Sequence, residues 1–262
     1  MHVILDEFER LKYRWAYRVV DTRGFGLPQR RLRVIILASR GDVDPAAVLF
    51  ARNVDPDFDD SISPLVPGHH YGFYWTEGKR GVGWAKDAVP TIKGGSGLGI
   101  PSPPAIFDTV TMTASTPSIR DAERLQGFDP DWTDITLNDS PVKLGARWKM
   151  VGNAVSVPLA EWIGAELADP SDSFDTALEL PLNEKRAWPS AAYVRHGRRY
   201  SVAVSTHVAV AKHVPIADFL LDPLKPLSQR ALLGYVNRAR TGTKRFPAGF
   251  VESLEAQAAQ SQ

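Results

Sequence analysis

Ile4, Leu5, Phe8 and Leu11 recur at the spacing of one helical face, which predicts an amphipathic helix over about residues 3–12. Trp15-Ala16-Tyr17-Arg18-Val19-Val20 is rich in β-formers and predicts a strand, broken by Gly24-Phe25-Gly26-Leu27-Pro28. Arg33-Val34-Ile35-Ile36-Leu37-Ala38-Ser39 predicts a second strand, and its continuous apolar run implies burial on both faces, as inside an α/β sheet. This helix–strand–loop–strand unit reads as the tail of a larger sheet. A whole doubly wound domain would need further strand–helix units ahead of Met1.

The texture changes over residues 42–118. Asp42 to Asp60 is acidic and turn-rich, and Tyr71-Gly72-Phe73-Tyr74-Trp75 begins an irregular segment with few helix signals. Pro90-Thr91-Ile92-Lys93-Gly94-Gly95-Ser96-Gly97 leads into Pro101, Pro103 and Pro104, a composition that suits a small loop-rich β subdomain. Helical character returns from Ser118, and again after Pro158, whose fixed φ suits a first turn. Residues 169–185 read as a linker. Beyond them, Tyr200–Val204 reads as a strand, with helices around Ser228–Arg240 and Pro247–Gln260.

Composition narrows the class. The 262 residues are 44% hydrophobic and 23% charged, with 20 prolines, as expected of a soluble, globular, loop-rich protein. No apolar run reaches the roughly 20 residues of a membrane helix, and the acidic amphipathic amino terminus is unlike a signal peptide. There is no cysteine, hence no disulfide and no thiolate metal site, and the default expectation is a cytoplasmic protein. A net charge of +1 argues neither for nor against nucleic acid, because phosphate contact depends on local patches.

Three stretches carry candidate chemistry. In Gln29-Arg30-Arg31-Leu32-Arg33, strand alternation would point Arg31 and Arg33 the same way, and two adjacent guanidiniums call for an anion or a carbonyl-rich ligand. A basic surface turn is the plainer alternative. In Arg120-Asp121-Ala122-Glu123-Arg124-Leu125-Gln126-Gly127-Phe128, helical spacing puts Arg120, Glu123 and Arg124 on one face, and a salt-bridge ladder with a glycine cap explains it equally well. Gly152-Asn153-Ala154-Val155 is by itself a turn signal. Other readings fail: Gly94–Gly99 is neither a dinucleotide fingerprint nor a nucleophile elbow. His69 and His70 are adjacent, with no nearby carboxylate to complete a metal set, so no metal is expected. The Arg195-His196 to Arg198-Arg199 stretch reads as a solvated hairpin.

In this order, the three stretches resemble the last three conserved blocks of DNA cytosine-5 methyltransferases, over about residues 1–165. The resemblance implies an α/β fold: the C-terminal part of an S-adenosylmethionine-dependent methyltransferase sheet domain, with a small loop-rich β target-recognition domain and an α+β C-terminal extension. The implied divisions are 1–40, the tail of the catalytic domain; 41–117, target recognition; 118–168, return helices; and 169–262, the extension. Arg31 and Arg33 would contact the flipped cytosine. Gln29, Arg120, Arg124, Tyr74, Trp75, Thr91 and Lys93 would contact double-stranded DNA, with Thr76, Lys79 and Arg80 as further candidates. Asn153 and Ala154 would face S-adenosylmethionine, a glycine beside them allowing close backbone approach.

The missing cysteine sets the problem. The reaction needs a thiolate to attack carbon 6 of cytosine before carbon 5 can accept a methyl group, and this chain has none. The donor loop, the Pro-Cys loop and the Glu-Asn-Val acid of such enzymes are likewise missing. The expectation is therefore the recognition and pocket-completing subunit of a split enzyme, sharing S-adenosylmethionine with a complementary N-terminal subunit. The alternatives are a catalytically inactive, sequence-specific DNA-binding relic and a fragment without independent function.

Overall fold

The computed structural model describes residues 1–56, 61, 64–77, 82–95, 103–183, 187–209 and 211–261. The chain forms two compact units: Met1–Phe25, Leu32–Asp57 and Pro158–Lys212 make the first, and Gly26–Arg31, Phe58–Val157 and His213–Gln262 the second. These boundaries differ from the divisions implied by sequence. Residues 169–212 fall in the first unit and 213–262 in the second, so the expected extension is not a unit of its own.

The first unit is built on a five-stranded sheet, in the order Glu179–Pro181, Arg198–Val202, Ala191–Arg195, Arg14–Asp21 and Leu32–Ser39. Every neighbouring pair is antiparallel. Alternation along Arg14–Asp21 sends Trp15 and Tyr17 to one face, against Leu5 of the helix His2–Arg10. It sends Ala16 and Val20 to the other, against Leu49 of the helix Pro45–Phe50 and Leu159 and Trp162 of the helix Val157–Ala168.

Two expectations are corrected here. Leu32–Ser39 is the outermost strand of this sheet, and Leu32 and Val34 are about half exposed, so its apolar run is not buried on both faces. The stretch 169–185 is not a linker. Glu179–Pro181 pairs with Arg198–Val202, and Phe174 packs edge-on against Phe50 and Tyr193. The hairpin at 195–198 was legible: His196 and Gly197 both take positive φ, as a two-residue turn requires. Its arginines form ion pairs, Arg195 with Glu179 and Arg199 with Asp6 and Glu9.

The second unit has its own five-stranded antiparallel sheet, in the order Lys225–Pro226, Thr113–Thr116, Ala105–Asp108, His70–Phe73 and Ala85–Lys86. Helices Gln229–Thr241 and Phe250–Gln260 cover one face, where Phe73, Trp84, Phe107, Tyr235 and Phe250 form an aromatic core. Ile106 on the other face joins Leu125, from the turn after the helix Ile119–Arg124, and Trp148 and Val151 of the helix Leu144–Asn153. The β-rich segment 70–116 thus gains an edge strand and a helical layer from residues 225–260. Gly72 is required at a crossing, since a Cβ there would lie 2.3 Å from the Ala88 carbonyl oxygen.

Candidate functional site

The three motif blocks meet within the second unit, beginning at Gln29. Its backbone, with that of Arg30, pairs in parallel with Val89–Pro90. Its buried carboxamide works in two directions: Nε2 donates to Leu125 O at 2.8 Å, and Oε1 accepts from Ile92 N at 2.9 Å. The first block is thereby fastened to the second and to the segment that follows Pro90. Thr91 adds a bond from its hydroxyl to Arg30 O at 3.0 Å.

Arg31 continues the same pattern. Its side chain is 3% exposed and donates to Ile92 O at 3.1 Å, Gly152 O at 3.4 Å and Ala154 O at 2.6 Å. The carbonyl-rich ligand that its guanidinium demands is the protein's own backbone. Arg33 does not share this environment. The strand is interrupted at Arg31, and Arg33 lies in the Leu32–Ser39 strand of the other unit, half-buried, donating to Leu32 O. Alternation therefore does not carry across the two arginines.

The second block ends as its sequence predicts. Ser118 caps the helix by accepting from Asp121 N, and Gly127 takes φ +87° beyond its end, with Phe128 N bonded to Glu123 O. Gln126 is buried and joins this turn to the third block: Nε2 donates to Val151 O at 2.9 Å, and Oε1 accepts from Ser156 Oγ at 2.7 Å. The charged residues keep the expected neighbourhood, with Arg120 and Glu123 both meeting Asp131 and Arg120 and Arg124 both reaching the 219–222 segment, but they differ in burial. Glu123 points inward and accepts from Asp131 N, Thr133 and Arg147. Arg120 pairs with Asp131 and Asp222, and Arg124 donates to Phe219 O and lies over the Phe219 ring. Both candidate phosphate contacts are thus engaged within the unit.

In the third block, Gly152 and Asn153 close the helix Leu144–Asn153, and the chain turns extended at Ala154. The glycine serves a backbone crossing: a Cβ at Gly152 would lie 2.2 Å from Gly94 N and from the Lys93 carbonyl carbon. Asn153 is exposed, with its carboxamide beside Gly94. Ala154 N bonds back to the helix, and its carbonyl accepts from Arg31.

The remaining recognition candidates spread along the same segment. Tyr74 donates to Thr91 O at 2.9 Å, and burial is the main cause raising its phenol above the usual range. Lys93 has its ammonium 3.8 Å from the Tyr74 ring centroid, pairs with Glu77, and keeps 44% of its side chain exposed. Trp75 donates to Pro103 O and, with Trp148 and Leu144, lines an apolar cavity of about 510 Å³. Lys79 and Arg80 lie outside the described residues. The two histidines do have carboxylates near them, contrary to expectation: His69 Nδ1 is 2.5 Å from Asp87 Oδ2, and His70 is 3.9 Å from Asp108. Chain folding brings these partners from 18 and 38 residues away. Among the described residues, no group of three or more such side chains could hold a metal, and no helix is long and apolar enough to cross a membrane.

The structure therefore collects Gln29, Arg31, Tyr74, Thr91, Lys93, Asn153 and Ala154 around one crossing, with Arg120 paired to Asp131 and Asp222 and Arg124 to Asp121. Sequence reasoning missed Gln126, Ser156 and Gly94. The Gln-Gly helix end and the Gly94-Gly95 pair were the available signals.

Residues 1–64 match the family model of C-5 cytosine-specific DNA methylases. Over 259 residues the chain is 49% identical to the type II methyltransferase M2.BsuMI of Bacillus subtilis (strain 168), covering 97% of this chain and 66% of that protein. It is 24% identical over 197 residues to the type II methyltransferase M.BspRI of Lysinibacillus sphaericus, covering 63% of this chain and 46% of the relative. It is 26% identical over 200 residues to the type II methyltransferase M.BsuRI of Bacillus subtilis, covering 64% and 45%. The chain thus spans 66% of the first relative's length and less than half of the other two. No solved structure matches. Of the three blocks, the first lies within the residues that match the C-5 cytosine-specific DNA methylase model, and the chain as a whole is similar to a type II methyltransferase.

Proposed function

We propose that this chain is the DNA-recognition and pocket-completing part of a DNA cytosine-5 methyltransferase, with the nucleophile supplied by a complementary N-terminal subunit. The observation that carries this reading is the convergence just described. Gln29, Arg31 and Gln126 tie three blocks, bonded across as many as 123 residues, into one buried lattice beside an exposed carboxamide and an exposed ammonium. The chemistry sets the division of labour. Attack on cytosine requires a thiolate, and none of the 262 residues is cysteine.

S-adenosylmethionine supplies the methyl group when bound. The side chains here fit one edge of a site for it. The Asn153 carboxamide offers two donors and an acceptor to a polar group, whereas the Ala154 N–H is already bonded. The other walls of the donor site come from the complementary subunit. Arg33 is assigned to the target cytosine, with Arg31 supporting the backbone on which the site is built. Lys93, Thr91 and Tyr74 form the recognition surface for duplex DNA, together with Trp75, which lines the apolar cavity. Gln29, Arg120 and Arg124 act on DNA indirectly, by holding the segments that reach it.

The test is transfer of a tritiated methyl group from S-adenosylmethionine to DNA. It is run with this chain alone, and mixed with a separately produced polypeptide carrying the donor loop, cysteine and glutamate. Label in DNA only from the mixture is the expected result. A mixture that forms a complex yet transfers nothing would overturn the reading in favour of a DNA-binding relic. Transfer by the lone chain would overturn the argument from the absent thiolate.

A further inference from the structure

We infer that Gly94 is a positioning residue for Asn153: its missing side chain is the space in which the Asn153 carboxamide is held. The inference rests on the proposed function, which assigns that carboxamide to the methyl donor, and adds to it a residue from the recognition segment. The geometry is reciprocal. A Cβ on Gly94 would meet Asn153 Oδ1 at 2.5 Å, Cγ at 3.0 Å and Nδ2 at 3.2 Å. A Cβ on Gly152 would meet Gly94 N and the Lys93 carbonyl carbon at 2.2 Å and Lys93 O at 2.5 Å. One glycine makes room for a backbone, the other for a single functional side chain.

Conformation does not require glycine at position 94, since its φ lies outside the left-handed region, unlike that of Gly95 at +119°. The need is one of space. Arg31 bridges the same two segments, donating to Ile92 O on one and to Gly152 O and Ala154 O on the other. The backbone entering Gly94 is therefore anchored at Ile92, its carbonyl by Arg31 and its N–H by Gln29. With that backbone anchored, the carboxamide must give way when the space is filled. Lys93, the exposed cation next to Gly94, ties this segment to the surface proposed for DNA.

The two glycines respond differently to alanine, and that difference is the test. Gly94→Ala meets the movable end of a side chain, so the fold survives and the Asn153 amide moves. Gly152→Ala meets backbone and must push two segments apart. In the isolated 15N-labelled chain, the Asn153 side-chain amide signal is identified by its loss in Asn153→Ala. We expect this signal to shift in Gly94→Ala while the melting temperature stays near that of the parent, and Gly152→Ala to melt well below both. In the reconstituted enzyme, Gly94→Ala should raise the KM for S-adenosylmethionine roughly tenfold, the factor that one lost hydrogen bond gives. The KM for DNA should hold, and adding Asn153→Ala should cost nothing further.

An unmoved Asn153 signal in Gly94→Ala overturns the positioning role. So does a melting loss equal to that of Gly152→Ala, which would make Gly94 merely structural. A parent mixture without methyl transfer counts instead against the proposed function, while the amide signal still decides what Gly94 does.

Discussion

Two buried arginines, one in each unit, solve the same physical problem with different consequences. Arg18 is fully buried in the first unit and donates to Leu49 O, Arg52 O, Ser205 O, His207 O and Asn53 Oδ1. Burial pushes its pKa down to about 10, which leaves it charged at neutral pH. Arg31 in the second unit donates to the carbonyls of Ile92, Gly152 and Ala154. In both, main-chain carbonyls satisfy the fork of donors, and the guanidinium staples segments distant in sequence. Only Arg31 stands in a recognisable motif. A motif arginine can thus be a staple, and a staple can lie where no motif marks it.

Substitutions should separate these roles. Arg18→Met takes the donor from five acceptors, two of them (Leu49 O and His207 O) in buried bonds, and is expected to cost about 4 kcal/mol of stability, read from chemical denaturation of the isolated chain. A loss below about 1 kcal/mol would show that the cage is dispensable or refilled by water. Arg31→Met strands fewer groups, and we expect a loss of about 2 kcal/mol. Together with that loss, the Gly152–Ala154 turn should exchange its amide hydrogens faster. Unchanged exchange there would remove Arg31 from the class of staples. Arg33→Met is the contrasting case. Arg33 is half-buried on an edge strand, so stability should change by no more than about 0.5 kcal/mol, while methyl transfer by the reconstituted enzyme should fall. If transfer is unaffected, Arg33 does not touch the target base.

Local features were legible because they obey local rules. The Ser118 cap and the Gly127 stop frame the second block as its sequence predicts, and Ser228 caps the helix Gln229–Thr241. The helix His2–Arg10 and the strand Arg14–Asp21 form where apolar spacing and β-formers predict them, although Ile4 and Leu11 of the helical face are exposed. The apolar run in Leu32–Ser39 misled, because periodicity reports what a strand can bury and not whether a neighbour covers it. Glu179–Pro181 went unread because a three-residue edge strand has no periodicity of its own, and exists only through its register with Arg198–Val202.

The site divides in the same way. From the sequence alone came the three blocks and their order, the glycine that permits close approach, and the absence of any thiolate among the 262 residues. These are properties of residue type and short spacing. Tertiary structure decided what each block does: Gln29 faces Leu125 and Ile92, Gly152 admits the Lys93–Gly94 backbone, and Arg31 binds its own chain. Hydrogen-bond donors and missing side chains are visible in a sequence, but the acceptors and neighbours they meet lie 58 to 123 residues away. Only the folded chain closes those distances.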